Sequence, residues 1–151
     1  MTRLAVADVE EIGEGSRKLI NIEGRAIGIF NVNGEYFAVR NECPHAGAPL
    51  CVGRTEGYAS SGGPGQVSYA RRGEILRCPW HGWEFDLRTG RSCWDPERTR
   101  VRTYPTLVLS GAELGGNAAT VAPDRGTGQN ADTPDEPVLI HPEHRYVVID
   151  M

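Results

Sequence analysis

Two short stretches carry side chains able to do chemistry: Cys43-Pro44-His45 and Cys78-Pro79-Trp80-His81. Each sets a thiol and an imidazole within three or four residues, so one tight loop can aim both at a metal centre. Two such loops supply four ligands. Zinc fingers usually segregate their ligands into a Cys knuckle and a His knuckle, whereas here each knuckle is mixed. Mixed knuckles favour a centre with two unlike metal positions. A single zinc ion on the same four side chains is the simpler alternative, and an incidental set of core or surface Cys and His is the plainest.

The runs around these residues are C-P-H-A-G-A-P-L from Cys43 to Leu50 and C-P-W-H-G-W-E-F-D-L-R-T-G from Cys78 to Gly90. They resemble the two cluster loops of the Rieske family, whose pattern is C-x-H followed by C-x-x-H. The likeness is to Rieske ferredoxins and to the ferredoxin-like domain of ring-hydroxylating oxygenases, and it covers about residues 26–106. It implies one 2Fe-2S cluster, with Cys43 and Cys78 as thiolates on the inner iron and His45 and His81 as neutral imidazoles on the outer one. Exchanging two anionic ligands for imidazoles raises the potential into a range of roughly −150 to +300 mV. In high-potential members a Ser two residues after the second His and a Tyr two further on donate hydroxyl hydrogen bonds to the cluster and its ligand sulfur. An extra Cys pair also ties their loops. Here those places hold Trp83 and Phe85, with Ala48 and Trp80 in place of the bridging Cys. Fewer donors leave the reduced cluster less stabilised, so the expected potential is near the lower bound of about −150 mV.

The small residues and prolines among Pro44, Ala46, Gly47, Ala48, Pro49 and Gly82 suit loops whose backbone N–H groups must turn inward. Trp80 could either contact a partner or shield the cluster. Cys51 and Cys93 read as buried, inert core residues. His141-Pro142-Glu143-His144 has the residue types of a two-His, one-carboxylate iron site, but Pro142 breaks a helical presentation, so a polar turn is the better account. No nucleophile elbow, phosphate loop or dinucleotide fingerprint is present.

The elements that must position these loops read as strands. With 19 Gly and 10 Pro, and no helical apolar period sustained over three turns, the chain is expected to be all-β. Strands are predicted at 4–9, 17–22, 25–32 and 35–40, and Asn33-Gly34 predicts a type I′ turn in the hairpin that delivers the first loop. Residues 74–77 should enter the second loop, and 83–86 with 91–94 should leave it as a hairpin turned at Arg88-Thr89-Gly90. A strand at 101–109, marked as an edge or bulge by Pro105, should pair with a closing strand at 145–150; a short ordered stretch is expected at 138–140. Together with the resemblance, this implies a Rieske-type antiparallel β-sandwich or barrel with a small cluster-binding subdomain made of two loops.

Between His45 and Cys78 lie 32 residues, longer than the interval usual in the family. Residues 52–73 are therefore expected to be a surface insertion, with 66–70 as an extra strand ending at a turn near Arg72-Gly73. Residues 110–137 read as a loop or disordered excursion. The length of 151 residues fits one Rieske domain over 1–151 and leaves no room for the larger catalytic domain of an oxygenase subunit. The net charge of −4 speaks against a nucleic-acid surface. Acids at Asp8, Glu10 and Glu11 interrupt the first residues, which then resemble neither a signal peptide nor a membrane anchor, and the cytoplasm is the simplest compartment.

These readings converge on a soluble, non-enzymatic electron carrier that takes single electrons from a flavin-dependent or other reductase and passes them to an oxygenase-type acceptor. A detached electron-entry subunit and the small subunit of a nitrite reductase are related possibilities. The alternative from another class is a regulatory module, either zinc-loaded or using a cluster as a redox sensor.

Overall fold

A computed structural model of the chain describes residues 3–22, 24–44, 46–63, 66–114, 119–120 and 140–150. It divides into two compact units, one of Met1–Val39 with Tyr104–Met151 and one of Arg40–Thr103.

In the first unit, apolar residues alternate along short strands and close over a common core. β1 (Arg3–Asp8), β2 (Arg17–Ile22), β3 (Arg25–Val32) and β4 (Glu35–Arg40) follow one another in sequence. Asn33 at φ 53° and Gly34 at φ 89° turn β3 into β4, as a type I′ turn requires. Asn31 fixes that turn from within: its side-chain oxygen accepts from Gly34 N (2.9 Å), and its Nδ2 donates to the Ile12 carbonyl (2.8 Å). The predicted strand at 101–109 is two strands, β8 (Thr103–Tyr104) and β9 (Thr106–Ser110), separated by Pro105. Proline has no N–H to give a ladder, and the chain changes sheet there. β8 joins the sheet β2-β3-β4-β8, and β9 joins a sheet with β10 (Ala119–Thr120), β1 and β11 (Arg145–Asp150), in the order β10-β1-β11-β9. β11 (Arg145–Asp150) lies antiparallel to both β1 and β9, with Val148 opposite Leu107.

The stretch 110–137 corrects the loop expectation in part. Gly111–Leu114 is a single helical turn, and β10 (Ala119–Thr120) adds a parallel bridge to β1. Ser110 ends β9, and residues 115–118 and 121–137 lie outside the described residues, as do Val138 and Leu139 of the expected stretch 138–140. The core of this unit holds Leu4, Val6, Ile12, Ile20, Ile27, Ile29, Val147 and Ile149. The far face of β1 and β11 packs Ala5, Tyr146 and Val148 with Leu114.

The second unit carries a three-stranded sheet, β5 (Arg54–Gly63), β6 (Gln66–Arg77) and β7 (Glu84–Asp86), in that order. β6 runs unbroken through the expected turn at Arg72-Gly73. The register slips instead: Glu56 faces Ile75 while Tyr58 faces Ala70, so extra residues on β6 form a bulge, and Gly73 adopts φ 80° within it. A glycine preceded by basic residues reads the same way in sequence whether it turns the chain or bulges it.

Candidate metal centre

The two mixed knuckles take the same backbone form. In the first, Cys43 N donates to Ala48 O at 2.8 Å and Gly47 N to Cys43 O at 2.7 Å. In the second, Cys78 N donates to Trp83 O at 2.7 Å and Gly82 N to Cys78 O at 3.0 Å. The glycine four residues after each Cys has φ of 74° and 72°, a left-handed conformation costly for any residue with a Cβ. The loops are thus two copies of one turn, although the imidazole stands two residues after Cys43 and three after Cys78.

Each turn is anchored at its ends. Asn41 Oδ1 accepts from Cys51 N at 2.7 Å and closes the first loop, while buried Leu50 and Cys51 root it in the unit. The second loop bridges β6 and β7, where Arg77 pairs with Glu84. Gly53 brings the exit of the first loop onto the entry of the second. A Cβ at Gly53 would overlap the Arg77 carbonyl, so only glycine permits that approach.

Cys43 and Cys78 are 1 % and 2 % exposed, whereas His81 is exposed. His45 lies outside the described residues. Among the described residues no group of three or more His, Cys, Asp or Glu is gathered closely enough to hold one metal ion. A two-iron cluster does not ask for that, because each of its irons takes only two protein ligands beside the bridging sulfides. Buried thiols, an exposed imidazole and paired turns held open by glycine are what such a cluster fits: thiolates inside, imidazole toward solvent.

Other sequence expectations resolve in place. No disulfide joins the four cysteines, and Cys51 is buried, but Cys93 is only half-buried, which corrects the reading of it as a core residue. Phe85, where high-potential proteins have a Tyr, is fully buried and brings no hydroxyl. Trp83 meets Trp94 edge to face at 5.8 Å between ring centroids. Trp80 is 59 % exposed. His141–His144 is a turn as expected. His144 Nδ1 lies 2.9 Å from Asp8 Oδ2, and His141 N donates to the Tyr146 hydroxyl, so both are tied into the first unit.

Residues not singled out by sequence also border the centre. Val52, Arg54 and Arg77 line an open depression with Cys78, Trp80 and His81. Glu84, opposite Arg77 in the β6–β7 register, lies in reach of Glu56; burial first, then the hydrogen bond and charge of Glu56, push its carboxyl up, against the opposing pull of Arg77. Arg54 and Arg77 stand far apart in the chain and meet only through the β5–β6 register, which no local pattern reveals.

Two matching turns that bury their cysteines, each with a His two or three residues further on in the sequence, fit an iron–sulfur protein by class. The Rieske [2Fe-2S] domain matches residues 2–105, and the chain belongs to that family. It is 31 % identical over 111 residues to the 3-phenylpropionate/cinnamic acid dioxygenase ferredoxin subunit of Photorhabdus laumondii, across 74 % of this chain and 90 % of that one. It is 30 % identical over 98 residues to the naphthalene 1,2-dioxygenase system ferredoxin component of Pseudomonas aeruginosa, across 65 % and 79 %. Among solved structures, Sphingomonas yanoikuyae B1 ferredoxin is similar at a TM-score of 0.52 and 29 % identity, over 70 % of this chain and 89 % of that chain. The protein is therefore a Rieske-type 2Fe-2S electron carrier and not a catalytic subunit. Among the described residues no helix is long and apolar enough to cross a membrane.

Proposed function

We propose that this chain is the ferredoxin component of a ring-hydroxylating oxygenase system in the cytoplasm, taking single electrons from a flavin-dependent or other reductase and delivering them to an oxygenase. Cys43, His45, Cys78 and His81 are the cluster ligands in this reading. The observation that carries it is the pair of matching turns, which buries both thiols and leaves His81 at the surface. The bound cluster supplies a one-electron couple. The chain's own residues do the rest: the thiols sit away from water, the glycines keep side chains out of the turns, and the exposed imidazole edge shortens the path to a partner. The relatives support the acceptor, since their names tie them to dioxygenase systems.

The test is a redox titration of purified protein with metal and sulfide analysis. Two irons and two acid-labile sulfides per chain, and a midpoint near about −150 mV, are expected. A colourless protein with one zinc would sink the carrier in favour of a regulatory module. A midpoint well above zero would sink the low-potential assignment drawn from Trp83 and Phe85. Each of His45→Ala and His81→Ala should lose the cluster signal; a variant that keeps it removes that residue from the ligand set.

A further inference from the structure

The depression beside the second loop combines two unlike features. Val52 and Trp80 are 51 % and 59 % exposed, a pair of large apolar side chains left to solvent next to His81. Arg54 and Arg77 stand opposite each other in the β5–β6 register and line the same depression. The Arg77 guanidinium lies against Gly82, so close that a Cβ there would be 3.0 Å from its Nη2. The Arg54 side chain is 74 % exposed; its Nη2 is 4.0 Å from Glu56 Oε2, at the outer limit of an ion pair.

Charge is distributed unevenly along the chain. Arg40–Thr103 has ten arginines against seven Asp and Glu, a formal +3, whereas the whole chain is −4. The rest of the chain thus has six basic residues against thirteen acidic ones, a formal −7. Screening confines a surface charge to about 8–10 Å at ordinary ionic strength, so charges close to the electron exit, Arg54 and Arg77 among them, weigh more there than the net charge of the chain.

We propose that Val52, Trp80, Arg54 and Arg77 form the docking surface for a redox partner that presents carboxylates around an apolar contact. The proposal rests on the carrier reading above. Trp80 and Val52 supply the water-excluding centre and the two guanidiniums the complementary rim, the division of labour usual at interfaces. Arg54 determines specificity by attracting acidic partners and repelling basic ones.

The field can be read without the partner. Dithionite-reduced protein, freed of excess reductant, is mixed with tris(oxalato)cobaltate(III), an anionic oxidant, or with hexaamminecobalt(III), a cationic one; one electron leaves each protein and reduces one Co(III) to Co(II). The rate with the anion should fall about threefold as ionic strength rises from about 100 to about 500 mM, where the Debye length is about 10 Å or less and nearby charges outweigh the net charge, and the rate with the cation should rise. Arg54→Glu should flatten or reverse the anion's salt dependence, and Arg54→Gln should have an intermediate effect. Arg25→Glu, the same charge change outside Arg40–Thr103, should leave it in place. A rate with the anion that rises with salt, following the net charge of −4, overturns the proposal. So does an Arg54→Glu protein with unaltered salt dependence. Iron and sulfide analysis before mixing separates the failures: a protein without the cluster sinks the carrier reading and this one together, while a loaded protein with the wrong salt dependence sinks only this one.

Discussion

Single residues shape the surroundings of the two knuckles, and two of them were silent in the sequence. Gly53 has ordinary extended dihedrals, φ −70° and ψ 170°, so nothing local demands glycine. The demand comes from the Arg77 carbonyl, which would meet any Cβ. Overpacking against backbone cannot be relieved by a rotamer change and costs about 1–3 kcal/mol. Gly53→Ala should therefore lower stability to urea by about that amount and reduce iron bound per chain; equal stability and full loading would show that the loops do not need this approach. Glu84 is the other case. Its folded carboxyl holds a proton more tightly than the unfolded one, because burial and Glu56 both disfavour its charge. Its contribution thus favours the fold at acid pH and is lost as pH rises through the raised value. Glu84→Gln should raise the unfolding temperature at pH 7 by a small amount, about 1–3 °C given the screening at a half-exposed site, and the gain should vanish at acid pH. A gain that persists or grows on acidification would contradict the assignment. The types and spacing of the proposed ligands, by contrast, were plain in the sequence, since Cys and His at short intervals leave few other chemistries.

At the scale of elements, legibility followed how local the decision was. The strands Arg17–Ile22, Arg25–Val32, Glu35–Arg40 and Arg145–Asp150 match expectation because their alternation and the Asn33-Gly34 turn are written within each segment. Pro105 marked an interruption, but which sheet each half would join depends on β4 and β11, distant in sequence. The ribbon of β5 and β6 shows the same limit: its composition pointed to a surface insertion, and its continuous pairing appeared only in the fold. If 52–73 is an insertion on the family pattern, its outer part is dispensable. Tyr58 and Ala70 are paired, so replacing residues 59–69 by Asn-Gly leaves that pair flanking a two-residue turn. The shortened protein should keep its iron, sulfide and midpoint potential. Loss of the cluster would show that the outer ribbon supports the loops.

At the scale of the whole molecule, the two units rest on different sources of stability. The first buries a contiguous set of aliphatic side chains, among them Leu4, Ile12, Ile20, Ile27, Ile29, Val147 and Ile149. In the second, two of the buried residues are the proposed ligands Cys43 and Cys78 themselves, beside a buried set that includes Ala48, Leu50, Ile75, Leu76 and Phe85. A unit whose buried set includes its ligands gains stability from the cluster directly, since whatever binds only the folded form favours it. Stripping the cluster with chelator and reductant should then act unevenly. The amides of Gly47 and Gly82, which donate to Cys43 and Cys78, should lose protection from hydrogen exchange, while amides of the β2–β3 ladder keep theirs. Equal loss in both would mean that the chain unfolds as one cooperative body and that the aliphatic core of the first unit does not stand alone. Retained protection at both glycines would mean instead that the turns are set by backbone geometry alone, with the metal entering a site already built.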